Sequence, residues 1–346
     1  MRIRATSILK GGEVLAEPVL TKEKEILIPR GTELKEEYIP LILSLGIDDL
    51  MIEDPYKNRE KPTSIINEEK LNIYVDKVQK IIEGHIYHGN GKSLKEIEII
   101  ANDIVKDINE RPKDTIIDLQ ERKASLYYHT VMVTLLSVWI ARKLKLDRKK
   151  QYSIAVGCLL HDIGVRFITV PYENIDLTKM DAAELFEYKK HTILGYSALE
   201  EETWIPPVSM KMVLSHHENS EGSGFPMKQK VREVECKIIQ VCDALDGYIS
   251  GMECRRISVQ EALDTIIRES DVKYDSKIVE QIIKSVAKYP VGTTVETNNK
   301  TEGIVISQTC DPDKPVIMVK NTEDTILEEN KLNLMLAKDI SILRVV

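Results

Sequence analysis

Five of the chain's seven histidines lie in its central part beside other groups that could bind a metal: His129, the pair His161-Asp162, His191, and the pair His216-His217. Asp243 follows within Gln240-Val241-Cys242-Asp243-Ala244. Successive sites are about 25 to 32 residues apart, roughly one helix plus a loop, so each donor can come from a different helix facing one pocket. Imidazole combined with carboxylate suits Fe, Mn or Zn better than Ca or Mg, which prefer oxygen alone. Seven donors exceed what one ion takes from a protein, and Asp162 can bridge two. The pattern therefore predicts a centre of two divalent ions, which Fe, Mn or Zn would all suit. A single helical histidine is more often a hydrogen-bonded structural residue, and neighbours on a helix point about 100° apart. The inference rests on four recurring sites, not on any one. His85 and His88 read as solvated, and Gly89-Asn90-Gly91-Lys92 as a turn without the glycine spacing of a phosphate-binding loop.

These donors need helices to position them, and the middle of the chain supplies them. From Asn67 to about Tyr289 apolar residues recur at helical intervals, as at Ile97, Ile100, Ile104 and Ile108. Helices are predicted over Ala124–Leu144, Tyr152–Ile163, Ala182–Glu201, Pro207–His217, Glu233–Ser250, Val259–Ser270 and Ser276–Lys288. Before them, Glu13–Val19, Glu25–Ile28 and Asp49–Ile52 read as strands, and Leu34–Leu45 as a helix stopped by Gly46. After Pro290, β-branched runs at Thr293–Glu296, Gly303–Gln308 and Val316–Lys320 are separated by turns. The fold class is mainly α: a small N-terminal α/β module (1–60), a helical connector (61–120), a helical body (121–290) and a small β-rich appendage (291–346).

The 346 residues include 56 acidic and 48 basic side chains, for a net charge of −8. That balance argues against bulk nucleic-acid binding, which needs a basic surface, yet leaves room for a local anion pocket. The longest apolar stretch, Val131–Ala141, is about half of what spans a bilayer. No membrane association is expected. Five cysteines without a C-x-x-C pair fit a reducing, cytoplasmic setting.

Leu160-His161-Asp162-Ile163-Gly164 resembles the signature of HD-superfamily phosphohydrolases. Ser215-His216-His217-Glu218-Asn219-Ser220-Glu221-Gly222-Ser223-Gly224-Phe225-Pro226 resembles the H-H-E-x-x-x-G-x-G-Y-P segment of the HD-GYP subgroup. His191 in Lys190-His191-Thr192 and Asp243 in Val241-Cys242-Asp243 also fall on metal positions of that subgroup, and the likeness covers about residues 120 to 290. It implies a metal-dependent phosphodiesterase that hydrolyses cyclic di-GMP, or a related cyclic dinucleotide, to pGpG and/or GMP. Asp162 would bridge the ions and hold the nucleophilic hydroxide. His129, His161 and Asp243 would bind one ion, and His191, His216 and His217 the other. Arg255, Arg166, Gly224 and Phe225 would face substrate, although Phe225 and Arg255 also have plain packing or surface readings.

The departures from the subgroup are informative. Its G-Y-P tyrosine is Phe225. A glutamate that helps some members hold a third metal is Ser125 here, favouring two ions. The lysine after H-D-x-G is Val165, and the first arginine of the substrate clamp is Met252, whereas Arg255 is kept. A non-catalytic cyclic-dinucleotide receptor, and an HD phosphohydrolase for a different nucleotide, are therefore alternatives. A homodimer and a signalling partner engaged by the N-terminal module are further expectations.

Overall fold

A computed structural model describes residues 2–6, 9–21, 25–47, 49–53, 60–88, 94–319 and 331–346. The predicted turn at Gly89-Asn90-Gly91-Lys92 lies outside them. The chain divides into two compact units, Met1–Glu60 and Lys61–Val346.

In the first unit β1 (Arg2–Ala5) pairs antiparallel with β4 (Asp49–Ile52), and β2 (Val19–Leu20) with β3 (Ile26–Ile28). The strand expected over Glu13–Val19 is reduced to single bridges at Val14 and Leu15 before β2. Pro18 explains the interruption, since it offers no N–H to a ladder. The helix α1 runs over Tyr38–Ser44, shorter than the predicted Leu34–Leu45. Leu34 is drawn away from it: its N–H donates to Glu13 O (2.7 Å) and its carbonyl accepts from Gly12 N (2.7 Å). Leu15, Leu34, Ile42 and Ile52 close a small core.

The second unit is helical, then β. Its helices are α2 (Glu68–His88), α3 (Ile97–Glu110), α4 (Leu126–Lys143), α5 (Arg148–Leu160), α6 (Ala182–Lys189) and α7 (His191–Ala198). They continue as α8 (Pro207–Ser215), α9 (Val234–Ser250), α10 (Val259–Arg268) and α11 (Ser276–Ile283). α4 is the axle of the body. It is buried without a break from His129 to Ala141, as an all-round apolar helix must be, with Trp139 fully enclosed. α5 and α9 pack on it. None of the described helices is long and apolar enough to cross a membrane.

Several boundaries differ from the sequence reading: the helix expected over Tyr152–Ile163 runs over Arg148–Leu160, the one expected over Pro207–His217 stops at Ser215, and two others change course. The stretch Ala182–Glu201 forms two helices joined at Lys190, not one. The last helix ends at Ile283 because the chain leaves it to bridge Ile117: Ile117 N donates to Ser285 O (2.7 Å), and Ala287 N to Ile117 O (2.8 Å).

The tail is a five-stranded antiparallel sheet of β5 (Thr294–Thr297), β6 (Glu302–Ser307), β7 (Val316–Val319), β8 (Lys331–Asn333) and β9 (Ile342–Val345), in the order β8-β7-β6-β5-β9. Buried Asp118 clasps it to the helices, accepting hydrogen bonds from Val291 N (3.0 Å) and Gln308 Nε2 (3.0 Å). Asp118→Ala removes these charge-assisted bonds and is expected to cost about 3 kcal/mol. A urea titration reads this directly; an unchanged midpoint would mean that the burial of Tyr289 and Val291 anchors the tail alone.

Candidate metal centre

The seven expected donors surround one buried pocket, and most stand at helix ends. His129 lies in the first turn of α4. His161 caps the C-terminus of α5, with Asp162 next, where the chain tightens into a 3₁₀ turn (Ile163–Phe167). His191 opens α7, His216 caps the C-terminus of α8 with His217 beyond it, and Asp243 projects from the middle of α9. Gly164 permits the convergence: a Cβ there would lie 1.8 Å from the His191 carbonyl oxygen and 2.6 Å from Gly195 N.

The donors fall into two sets, His129 with His161 and Asp243, and His191 with His216 and His217; within each set the donor atoms lie within 4.8 Å of one another. Asp162 stands between the sets. Its Oδ2 is 3.4 Å from His161 Nε2 and 3.9 Å from His129 Nε2, while its Oδ1 is 3.5 Å from His216 Nε2 and 3.7 Å from His191 Nε2. One carboxylate thus presents one oxygen to each set.

Local hydrogen bonding fixes which ring nitrogen faces inward. Helix C-termini leave carbonyls without intrahelical partners. Three rings use such carbonyls three residues back: His161 Nδ1 on Cys158 O (2.7 Å), His191 Nδ1 on Tyr188 O (2.8 Å) and His216 Nδ1 on Val213 O (2.9 Å). A carbonyl only accepts, so Nδ1 carries the proton and Nε2 is left as a lone pair. His129 is set by a carboxylate, its Nδ1 being 2.6 Å from Asp246 Oδ2. Arg122 pairs with the same Asp246 oxygen.

The donor set fits a cation. His191 Nε2 and His216 Nε2 lie 3.1 Å apart, and with both Nδ1 atoms protonated neither neutral ring has a hydrogen to share. Burial, then the charge of His217, holds the His191 imidazole down to about 3, and the same causes lower His216. His161 Nε2 is buried with no aligned hydrogen bond, although two carboxylate oxygens lie within 3.5 Å. Burial opposes ionisation of Asp162 and Asp243, but the facing histidines outweigh it and hold both well below the usual carboxylate range. Lone pairs and carboxylates converging on one space need positive charge at the centre.

The four residues expected to face substrate are placed differently from one another. Phe225 stacks on His217, ring centroids 4.5 Å apart at 23°, and meets His191 edge-on. Gly224 runs so close beneath His217 that a Cβ would lie 2.3 Å from the His217 carbonyl oxygen. Arg166 is not directed at the seven donors by any of its hydrogen bonds, which go to the hydroxyls of Tyr172 and Tyr87. Arg255 is exposed, and Met252 is buried in the core.

Several neighbours of the site were not anticipated from sequence. Asp246 is one turn beyond Asp243, a spacing that could have signalled it. Glu218 accepts from Met227 N (2.6 Å) and Gln229 N (3.1 Å), holding the loop after His217 in place. Lys189 sets its ammonium 5.3 Å from the Phe225 ring centre. Tyr188 donates to Glu253, whose Oε1 is 3.3 Å from His217 Nε2.

The protein family described as "HD domain" matches residues 113–278. The chain is 26% identical over 217 residues to a cyclic di-GMP phosphodiesterase of Pseudomonas aeruginosa, covering 60% of this chain and 52% of the relative. It is 25% identical over 211 residues to another from Borreliella burgdorferi, covering 59% and 54%. The chain thus spans about half the length of these relatives. Among solved structures, an HDG"Y"P protein from Bdellovibrio bacteriovorus superposes with a TM-score of 0.52 at 19% identity, over 81% of this chain and 97% of that one. That likeness concerns the fold.

Proposed function

We propose that this chain, whose residues 113–278 match the HD domain family, is a metal-dependent phosphodiesterase of the HD-GYP type that opens cyclic di-GMP to pGpG and/or GMP with two divalent ions, Fe or Mn. The observation that carries the reading is Asp162, one oxygen turned to each of two buried donor sets. The names of the relatives support the substrate.

His129, His161 and Asp243 would hold one ion, His191, His216 and His217 the other, with Asp162 shared. The ions would supply Lewis acidity and a water-derived nucleophile at neutral pH. The protein's part is orientation. Carbonyls of Cys158, Tyr188 and Val213 lock three imidazoles, and Asp246 locks His129. Phe225 covers His217 and restricts water there. Lys189, Arg166 and Arg255 are the basic groups we assign to substrate phosphate, the guanidinium being suited to it by its planar fork. A buried Met252 leaves that charge sparser than the subgroup's clamp, which favours a different nucleotide as the second reading.

The test is turnover of cyclic di-GMP by anaerobically prepared protein loaded with Fe(II) or Mn(II), with products separated by chromatography. Linear pGpG or GMP is expected. Two ions per chain without product would overturn the substrate assignment and leave a receptor, or a hydrolase of another nucleotide.

A further inference from the structure

We propose that Glu253 is a further metal donor, binding the ion on the His217 side; the inference rests on the two-ion reading above. α9 ends at Gly251, whose left-handed backbone (φ 76°) turns the chain back toward the pocket. Met252 is buried beside this turn. The strip is pinned by Ile175 N donating to Met252 O (3.2 Å) and Leu177 N to Glu253 O (3.0 Å). The Glu253 side chain accepts from the Tyr188 hydroxyl. Tyr188 is itself buried, and its carbonyl is the one that orients His191. One residue therefore fixes both a histidine donor and this carboxylate.

The contact with His217 has the form of a shared ion. Glu253 Oε1 lies 3.3 Å from His217 Nε2, yet that buried nitrogen has no aligned hydrogen bond. Two donors each about 2.1 Å from one ion at tetrahedral angles stand roughly 3.4 Å apart. His191 Nε2 and His216 Nε2, at 3.1 Å, show comparable spacing. Glu253 thus supplies an oxygen to a set otherwise made of three imidazoles and the shared Asp162, which shifts that position toward harder ions such as Mn(II).

Glu253→Gln separates a ligand from a residue that only orients His217, because the amide oxygen still accepts from Tyr188 and from an imidazole N–H. Metal content after desalting, Mn(II) affinity and the visible spectrum of the Co(II)-loaded protein are measured on the unaltered chain and the variant. The unaltered chain is expected to keep two ions and the variant one. The second ion should bind more than about 100-fold more weakly, beyond the range of an outer residue, with a changed Co(II) spectrum. Retention of both ions, or a smaller loss with an unchanged spectrum, overturns the assignment. Fewer than two ions on the unaltered chain sinks the two-ion reading itself, and Glu253 with it. Should the variant not fold, Tyr188→Phe releases the carboxylate's tether: a weakened second ion is expected, and unchanged affinity for both overturns the proposal.

Discussion

Replacing Asp162 by alanine is expected to lower turnover by at least about 10³-fold, roughly 4 kcal/mol of transition-state stabilisation. The reason is geometric. Asp162 is the residue whose two oxygens face different donor sets, 3.4 Å from His161 on one side and 3.5 Å from His216 on the other. Losing it separates the sets and leaves five imidazoles, Asp243 and Glu253 to hold two doubly charged ions without a shared oxygen. Bound metal should therefore fall below two ions per chain in the same preparation. Elemental analysis beside single-turnover kinetics checks both halves. A rate within tenfold of the unaltered chain, with two ions still bound, would remove Asp162 from the centre and the bridged mechanism with it. The apolar core is left intact, because the Asp162 side chain faces the histidine donors and not the apolar cluster.

Gly164→Ala is expected to act on fold and site together. The added methyl would need to occupy space 1.8 Å from His191 O and 2.6 Å from Gly195 N, both backbone atoms of α7. No side-chain rotation relieves that overlap, so α7 has to move away from the 3₁₀ turn. Overpacking of this kind costs about 3 kcal/mol or more. At roughly 2–4 °C per kcal/mol for a chain of this size, the melting temperature should drop by about 6–12 °C. The shift also draws His191 away from His216, so metal affinity should fall in whatever remains folded. Gly247, on α9 beside Asp246, is the natural comparison, because a Cβ there meets nothing within 4 Å. Alanine at that position improves helix propensity by up to about 1 kcal/mol and should be neutral or stabilising. Equal melting temperatures for the two variants would show that α7 is free to yield.

The mainly α class, with a small α/β beginning and a β end, was legible because helical periodicity runs through the middle of the sequence and stops at Pro290. Interruptions decided by distant partners were not legible. Nothing local announces that Ser285–Ala287 will leave a helix to bridge Ile117, or that Leu34 will join a ladder instead of α1. β1, β8 and β9 went unread because each is only three or four residues long, too short for its pattern to specify a strand, and their pairing is set by strands elsewhere in the chain. At the site, the histidine pairs looked awkward as helical neighbours about 100° apart. The structure removes the difficulty. His161 and His216 are C-caps, so Asp162 and His217 follow in non-helical backbone and can turn to the same space. Asp246, Tyr188 and Glu253 escaped notice for a different reason: a carboxylate or phenol is assigned to an imidazole only once packing shows which ring it touches.

The left-handed turn at Gly251 divides the pocket into parts of unequal freedom. Behind it, α4, α5, α8 and α9 hold their donors within the core, where changing one side chain disturbs many neighbours. Beyond it, Met252–Arg256 is a short non-helical strip whose main chain is fastened to Ile175 and Leu177 and whose exposed Arg255 lies outside the core. Main-chain fastening is indifferent to side-chain identity. A lineage descended from this chain can therefore rewrite exposed Arg255 and sample new ligands there, while Met252, packed in the core, and Glu253, tied to Tyr188 and His217, stay with the buried donors. Recognition on this scaffold is free to drift much faster than the inorganic chemistry beneath it.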